Sequence, residues 1–163
     1  MPRKNSAGIV LYRIQRGALE VFLVHPGGPF WAEKDEGAWS IPKGEIEEGD
    51  DRLESARREF REETGSQVDG EFIELVPLKQ RGGKIVYAWA VVGNIDAASI
   101  RSNLFSMEWP PRSGTQHEFP EVDKAGWFTV EKALAKLLPG QRGFLAEIQA
   151  KLSSPGDTST PPE

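Results

Sequence analysis

The stretch from Gly44 to Gly65, GEIEEGDDRLESARREFREETG, constrains the chain more than any other. A glycine-bounded acidic loop runs into Asp51–Thr64, a segment rich in helix formers and free of Pro and Gly. Asp50 or Asp51 can cap its start, and Gly65 stands where a helix commonly ends in a left-handed residue. At about 100° per residue, with Glu59 as the origin, Glu63 falls at about 40° and Glu62 at about −60°. The three carboxylates share one sector. Leu53, Ala56, Phe60 and Thr64 fall between about 60° and 140°, which predicts an apolar stripe beside the acids. Arg57, Arg61 and Glu54 point away toward solvent, and Glu54 has the i,i+4 spacing to pair with Arg58.

Ionised carboxylates crowded on one helical face disfavour one another's charged form. A bound divalent cation reverses that cost, and hard oxygen ligands suit Mg²⁺ or Mn²⁺. An isolated E-x-x-E-E pattern is more often a solvated acidic face. Here the glycine loop ahead of it and the Arg58-Glu59 pair favour a metal platform.

These residues resemble the Nudix box: Gly, five residues, Glu, seven residues, Arg-Glu, an apolar residue, any residue, Glu-Glu, any residue, Gly and an aliphatic residue. Gly44 opens the pattern, Arg58-Glu59-Phe60 follows at the right distance, and Glu62-Glu63 and Gly65 complete it. Two positions depart. Asp50 stands where the family has the Glu that helps orient the box arginine, and Ser66 replaces the aliphatic residue. The preceding Trp39-Ser40-Ile41-Pro42-Lys43-Gly44 resembles the entry found in the branch that cleaves dinucleoside polyphosphates and diphosphoinositol polyphosphates. With VHPGGPFWAEKDEGAW, EWPPRSG and EFPEVDKAGWF, the likeness to predicted nucleotide pyrophosphohydrolases runs from residue 6 to about 150.

The resemblance implies an α/β fold, the Nudix α/β/α sandwich with a mixed β-sheet, over residues 1–152. It implies that Glu59, Glu62 and Glu63 bind Mg²⁺ or Mn²⁺, joined by the Gly44 carbonyl. Glu59 and Glu62 are then catalytic as well, with Arg58 orienting a box glutamate. Related enzymes occur as monomers and homodimers.

The charge pattern agrees with one small-molecule site. Residues 44–63 carry nine acids against four arginines, a net of −5 that equals the charge of the whole chain. The remaining surface is balanced and lacks the basic stripe expected of a polymeric nucleic-acid groove. The absence of cysteine excludes a thiolate zinc site and a cysteine nucleophile. No apolar run reaches membrane-spanning length, and MPRKNSAG lacks the apolar core of a signal peptide, so the cytoplasm is the expected compartment.

Periodicity predicts strands over Ser6–Ile14 and Leu19–His25 around a Gln15–Ala18 hairpin, and over Glu71–Gln80 and Lys84–Val92 around Arg81-Gly82-Gly83. Leu104–Trp109 and Ala125–Thr129 read as further strands. Asp96–Asn103 holds a turn of helix, Thr129 caps a helix over Glu131–Leu138, and Gln141–Leu152 forms another. Pro26–Ala38 reads as a loop. Residues 153–163, rich in Ser, Thr and Pro, read as a disordered tail.

Outside the box, Glu118 and Glu121 lie in what reads as a polar loop, a place from which the family often draws a further catalytic Glu. Glu118 is preferred as the catalytic acid. Lys43, between a rigid Pro and the box glycine, is a phosphate contact, and Arg112 a weaker one, as is Lys34. His25 reads as a structural loop histidine and His117 as an alternative base. Of the aromatics Trp31, Trp39, Tyr87, Trp89 and Trp109, Trp39 and Trp109 are favoured to stack on a nucleobase in the substrate site. The expected function is metal-dependent cleavage of a phosphoanhydride in a nucleoside diphosphate linked to another moiety, a dinucleoside polyphosphate or a nucleoside triphosphate. The rival is a catalytically silent domain that senses nucleotides or serves as an interaction module.

Overall fold

The computed structural model describes residues 4–152; the expected tail at 153–163 lies outside the described residues. Among the described residues nine strands and three α-helices follow in order: β1 (Ser6–Gln15), β2 (Ala18–Pro26), β3 (Lys43–Glu45), α1 (Arg52–Thr64), β4 (Ile73–Glu74), β5 (Leu78–Lys79), β6 (Ile85–Val92), β7 (Leu104–Glu108), β8 (Gln116–Pro120), β9 (Val122–Thr129), α2 (Val130–Lys136) and α3 (Arg142–Leu152), with single 3-10 turns at Ala97–Ser99 and Pro139–Gln141.

The central strands explain the layering. β1 is buried almost continuously, which suits a strand covered on both faces. Its alternate residues feed two cores. Val10 and Tyr12, with Val21 and Leu23 of β2, pack among α2 and α3 side chains such as Ala133, Phe144 and Ile148. Ala7, Ile9 and Leu11, with Phe22 and Val24, pack on the other face against Ala56 and Phe60 of α1. The result is an α/β/α sandwich.

The sheet is mixed, in the order β4-β6-β1-β2-β9. β1 and β6 run parallel, while β2 lies antiparallel to both β1 and β9. β3 pairs with the first residues of β1, Ala7 opposite Gly44, and so carries the box loop onto a central strand of the sheet. β7 and β8 form a separate two-stranded hairpin.

Three expectations need correction. The expected strand over Glu71–Gln80 is two short pieces, β4 and β5, split by Leu75–Pro77, where the Val76 N–H donates to the Glu147 carboxylate instead of a neighbouring strand. Gln116–Pro120, read as loop, is strand β8. It is largely exposed, so it lacks the apolar alternation that marks a strand. β9 begins three residues earlier than expected, at Val122.

Candidate active site

Helix α1 delivers the acids. Asp51 is its N-cap, accepting from the Glu54 N–H at 3.0 Å, and Gly65 closes it with φ 80° while its N–H donates to the Arg61 carbonyl at 2.7 Å. Buried Phe60 and Ala56 lock the rotation of the helix against β1. That rotation turns Glu59, Glu62 and Glu63 into a cleft of about 650 Å³, shared with Lys43 and Gly44 of β3 and with Glu121.

The approach of helix to strand is close. A Cβ on Gly44 would sit 1.9 Å from Glu59 Oε1 and 2.0 Å from its Cδ. Glycine is therefore required if the Glu59 carboxylate is to occupy its place. The Lys43 N–H donates to Glu63 Oε1 at 3.2 Å, which ties the other end of the acidic sector to β3.

Arg58 lies along the same acids. Its Nη2 is 3.4 Å from Glu59 Oε2 and its Nε is 3.7 Å from Glu62 Oε2. The expected Glu54–Arg58 pair is replaced by Glu54–Arg57 at 3.4 Å. Among the described residues no hydrogen bond joins Asp50 to Arg58, which lies instead beside Glu59 and Glu62. The Asp50 carboxylate accepts from the Glu47 N–H at 2.8 Å and braces the box loop. The second departure, Ser66, is absorbed by the helix end, where its N–H donates to Thr64 Oγ1 at 3.1 Å.

Glu121, rather than Glu118, enters the cleft. A relay of backbone hydrogen bonds holds it: the Asn103 N–H donates to the Glu62 carbonyl (3.0 Å), the Glu121 N–H to the Asn103 carbonyl (2.8 Å), and the Gly27 N–H to the Glu121 carbonyl (2.9 Å). Glu118 sits in mid-β8, paired with Ser106 and exposed. The signal in the sequence was Pro120, whose missing N–H ends one strand just before Glu121.

Electrostatics mark the same residues. Burial pushes the Glu63 carboxyl up to about 8, the Lys43 N–H and charge opposing and Glu59 and Glu121 adding to the rise. Burial, then the neighbouring Glu62, raises Glu59, with Arg58 opposing. Burial and Glu62 also raise Glu121. Burial lowers Lys43, partly offset by Glu63.

The donor set suits a hard divalent cation: carboxylate oxygens, with no sulfur or imidazole lining the cleft. As the side chains stand, no three acidic or histidine groups among the described residues converge tightly enough to grip an ion. Arg58 draws Glu59 and Glu62 to one side and Lys43 holds Glu63 on the other.

The remaining expected site residues lie elsewhere. Trp39 is 5% exposed, its ring edge-on to His25 and Phe128 and its Nε1–H donating to Asp35, so it is a core residue that cannot stack on a base. Trp109 packs edge-on against Phe30 at 5.5 Å and lies outside the cleft lining. Arg112 is exposed in the β7–β8 turn with φ 63°. His117 is exposed on β8. His25 is wholly buried, its Nδ1 2.8 Å from Asp123 Oδ1 and its Nε2 2.6 Å from the Lys34 carbonyl. Lys84, which no motif flagged, lines the cleft just before β6.

A family model of the NUDIX domain matches residues 2–148. The chain belongs to the NUDIX family. As a Nudix protein it is a hydrolase of the pyrophosphohydrolase class. Solved structures share this Nudix fold. A Caenorhabditis elegans Ap4A hydrolase binary complex is 20% identical, with 93% of this chain and 98% of that chain covered and a TM-score of 0.64. The NUDIX domain of Shewanella oneidensis NrtR, complexed with ADP ribose, is 16% identical over 94% and 90%, with a TM-score of 0.64. The MutT protein of Methanosarcina mazei Go1 is 19% identical over 94% and 97%, with a TM-score of 0.59. Among curated proteins none matches. No helix among the described residues is long and apolar enough to cross a membrane.

The Gly44–Glu59 contact yields a prediction for this Nudix site. Gly44→Ala is expected to swing the Glu59 carboxylate aside, because a flexible side-chain end yields before backbone does. Hydrolysis should fall at least tenfold, on the order of a single misplaced catalytic group, while the thermal midpoint moves little. Steady-state kinetics and a melting curve on the same sample check both halves.

Proposed function

We propose that the protein hydrolyses a phosphoanhydride in a nucleoside diphosphate linked to another moiety, with a dinucleoside polyphosphate or a nucleoside triphosphate as the preferred substrate. The observation that carries this reading is the gathering of Glu59, Glu62, Glu63 and Glu121 in one cleft with Lys43 and Lys84. Acids in that number are costly to hold together without a cation, and lysines beside them suit a polyphosphate.

Glu59, Glu62 and Glu63, with the Gly44 carbonyl, are the groups that would hold Mg²⁺ or Mn²⁺. Such an ion, when bound, neutralises diphosphate charge and acidifies water. The chain's own residues then have distinct tasks. Lys43 and Lys84 bind phosphate oxygens. Arg58 orients Glu59 and Glu62. Water oxygen bonds to one phosphorus, the bridging P–O bond breaks, and the water proton passes to a cleft carboxylate. Glu59 is favoured for that proton, with Glu121 as the loop acid in place of Glu118. These carboxylates interact, so the proton belongs to the coupled set. The substrate preference rests on the Trp-x-x-Pro-Lys-Gly entry at residues 39–44.

The test is purified protein with Mg²⁺ or Mn²⁺ and a panel of dinucleoside polyphosphates, nucleoside triphosphates and sugar-linked nucleoside diphosphates, with products separated by ion exchange. Metal-dependent release of a nucleotide is the expected result. Binding of metal and nucleotide with no turnover on any member would favour a silent nucleotide-binding domain instead.

A further inference from the structure

Beside the acidic cleft lies a second cavity of about 190 Å³. Val24, Pro26, Trp31, Ala38 and Val122 form its apolar wall, and Lys43, Glu63 and Glu121 stand at the boundary it shares with the cleft. One molecule can therefore place charged groups against the lysines and an apolar group in the cavity. The cavity is smaller than the roughly 300–1,000 Å³ typical of whole-ligand pockets, so it suits one part of a substrate.

Trp31 differs from the tryptophans that the fold absorbs. It is 37% exposed, whereas Trp39 is 5% exposed in the core and Trp127 packs on Phe22 with its Nε1–H donating to the Ile95 carbonyl. The loop that presents Trp31 is tied down on both sides. The Gly27 N–H donates to the Glu121 carbonyl, the Trp31 N–H to Gly28 and the Lys34 N–H to Trp31. His25 holds the Lys34 carbonyl at 2.6 Å, and Asp35 accepts from the Trp39 ring at 2.7 Å. An exposed ring on an anchored loop is preorganised: little entropy is lost when a flat partner settles on it. Gly27 is also required there, since a Cβ would lie 1.9 Å from the Pro120 carbonyl. The close approach keeps Trp31's loop and Glu121 in fixed relation.

We propose that this cavity takes the aromatic ring of the substrate, and that Trp31 is the stacking residue that selects nucleoside diphosphates over diphosphates lacking a ring. The proposal rests on the phosphoanhydride reading and deepens it. It moves the stacking role from Trp39 and Trp109, which geometry removes from the cleft, to Trp31.

The test measures binding of two probes by calorimetry with Mg²⁺ present: α,β-methylene-ADP, which carries the ring and resists cleavage, and methylenediphosphonate, which has no ring. Wild-type protein should bind the first at least tenfold more tightly, within the range known for base stacking on aromatic side chains. Trp31→Ala should abolish the difference and leave methylenediphosphonate binding unchanged. Trp31→Phe should keep most of it. Quenching of tryptophan emission by α,β-methylene-ADP should be present in wild type and lost in Trp31→Phe, a readout that survives if the alanine variant folds poorly. Equal weakening of both probes, or weakening of neither, overturns the proposal. Trp31-dependent nucleotide binding without turnover of any diphosphate leaves the cavity assignment standing and removes the hydrolase reading. Turnover with no dependence on Trp31 does the reverse.

Discussion

Replacing Glu62 by Gln is expected to lower kcat by roughly 10²–10⁴-fold with Mg²⁺ present, the range for losing a group that acts directly at the reacting centre. The fold should survive, because Glu62's side chain makes one long ion pair, 3.7 Å to Arg58, and faces the cleft. Removing its charge also relieves Glu59 and Glu121, both of which it pushes toward the protonated form. A thermal midpoint equal to or above wild type should thus accompany the kinetic loss. Glu121→Gln should lower the rate as well, whereas Glu118→Gln should leave it within about twofold, since Glu118 is exposed on β8 away from the cleft and surface changes of this kind are usually small. A Glu62→Gln rate within threefold of wild type would sink the proposed role of the helix acids.

The contrast between Glu62 and Glu118 reflects what a sequence carries. The acidic sector of α1 was legible because it depends on helical rotation alone: Asp51 caps, Phe60 turns inward and Gly65 ends the helix within one continuous segment. The paired runs of β1, β2 and β6 were legible for the same reason, as each is a local apolar run bounded by turn residues. Pro120 marks where β8 stops, but the choice of Glu121 over Glu118 for the cleft depends on contacts with Gly27, Asn103 and Glu62, remote in sequence. Trp39 failed likewise. Adjacent to the box in sequence, it is claimed by Phe128, His25 and Asp35, which only the folded sheet brings together. Lys84 entered the cleft by the register of β5 on β6 after the Gly82-Gly83 turn, a pairing that composition does not reveal.

The second large effect concerns Glu63 and the stability of the metal-free protein. Its carboxyl is raised from 4.5 to about 8 on folding, chiefly by burial. Between those pH values the folded protein keeps a proton that the unfolded chain has released. Stability from this group is therefore full below about 4.5 and is lost as pH rises toward about 8. Glu59 and Glu121, also raised, act in the same direction. Each tenfold change in proton affinity corresponds to about 1.4 kcal/mol, so the loss across the window is on the order of a few kcal/mol, reduced where cleft water screens the charges. In a chain of this size that amounts to roughly 10 °C in the melting midpoint. Two changes should flatten the slope. Glu63→Gln removes the titrating group. Mg²⁺ or Mn²⁺ favours the ionised carboxylates, so added metal should raise the midpoint strongly at pH 8 and little at pH 5. Melting curves from pH 5 to 8, with metal or with chelator, decide the matter. A metal-free midpoint that holds steady or climbs over this window in wild type, or a slope that is undiminished in Glu63→Gln, would mean that Glu63 is not the buried acid on which the cleft is built.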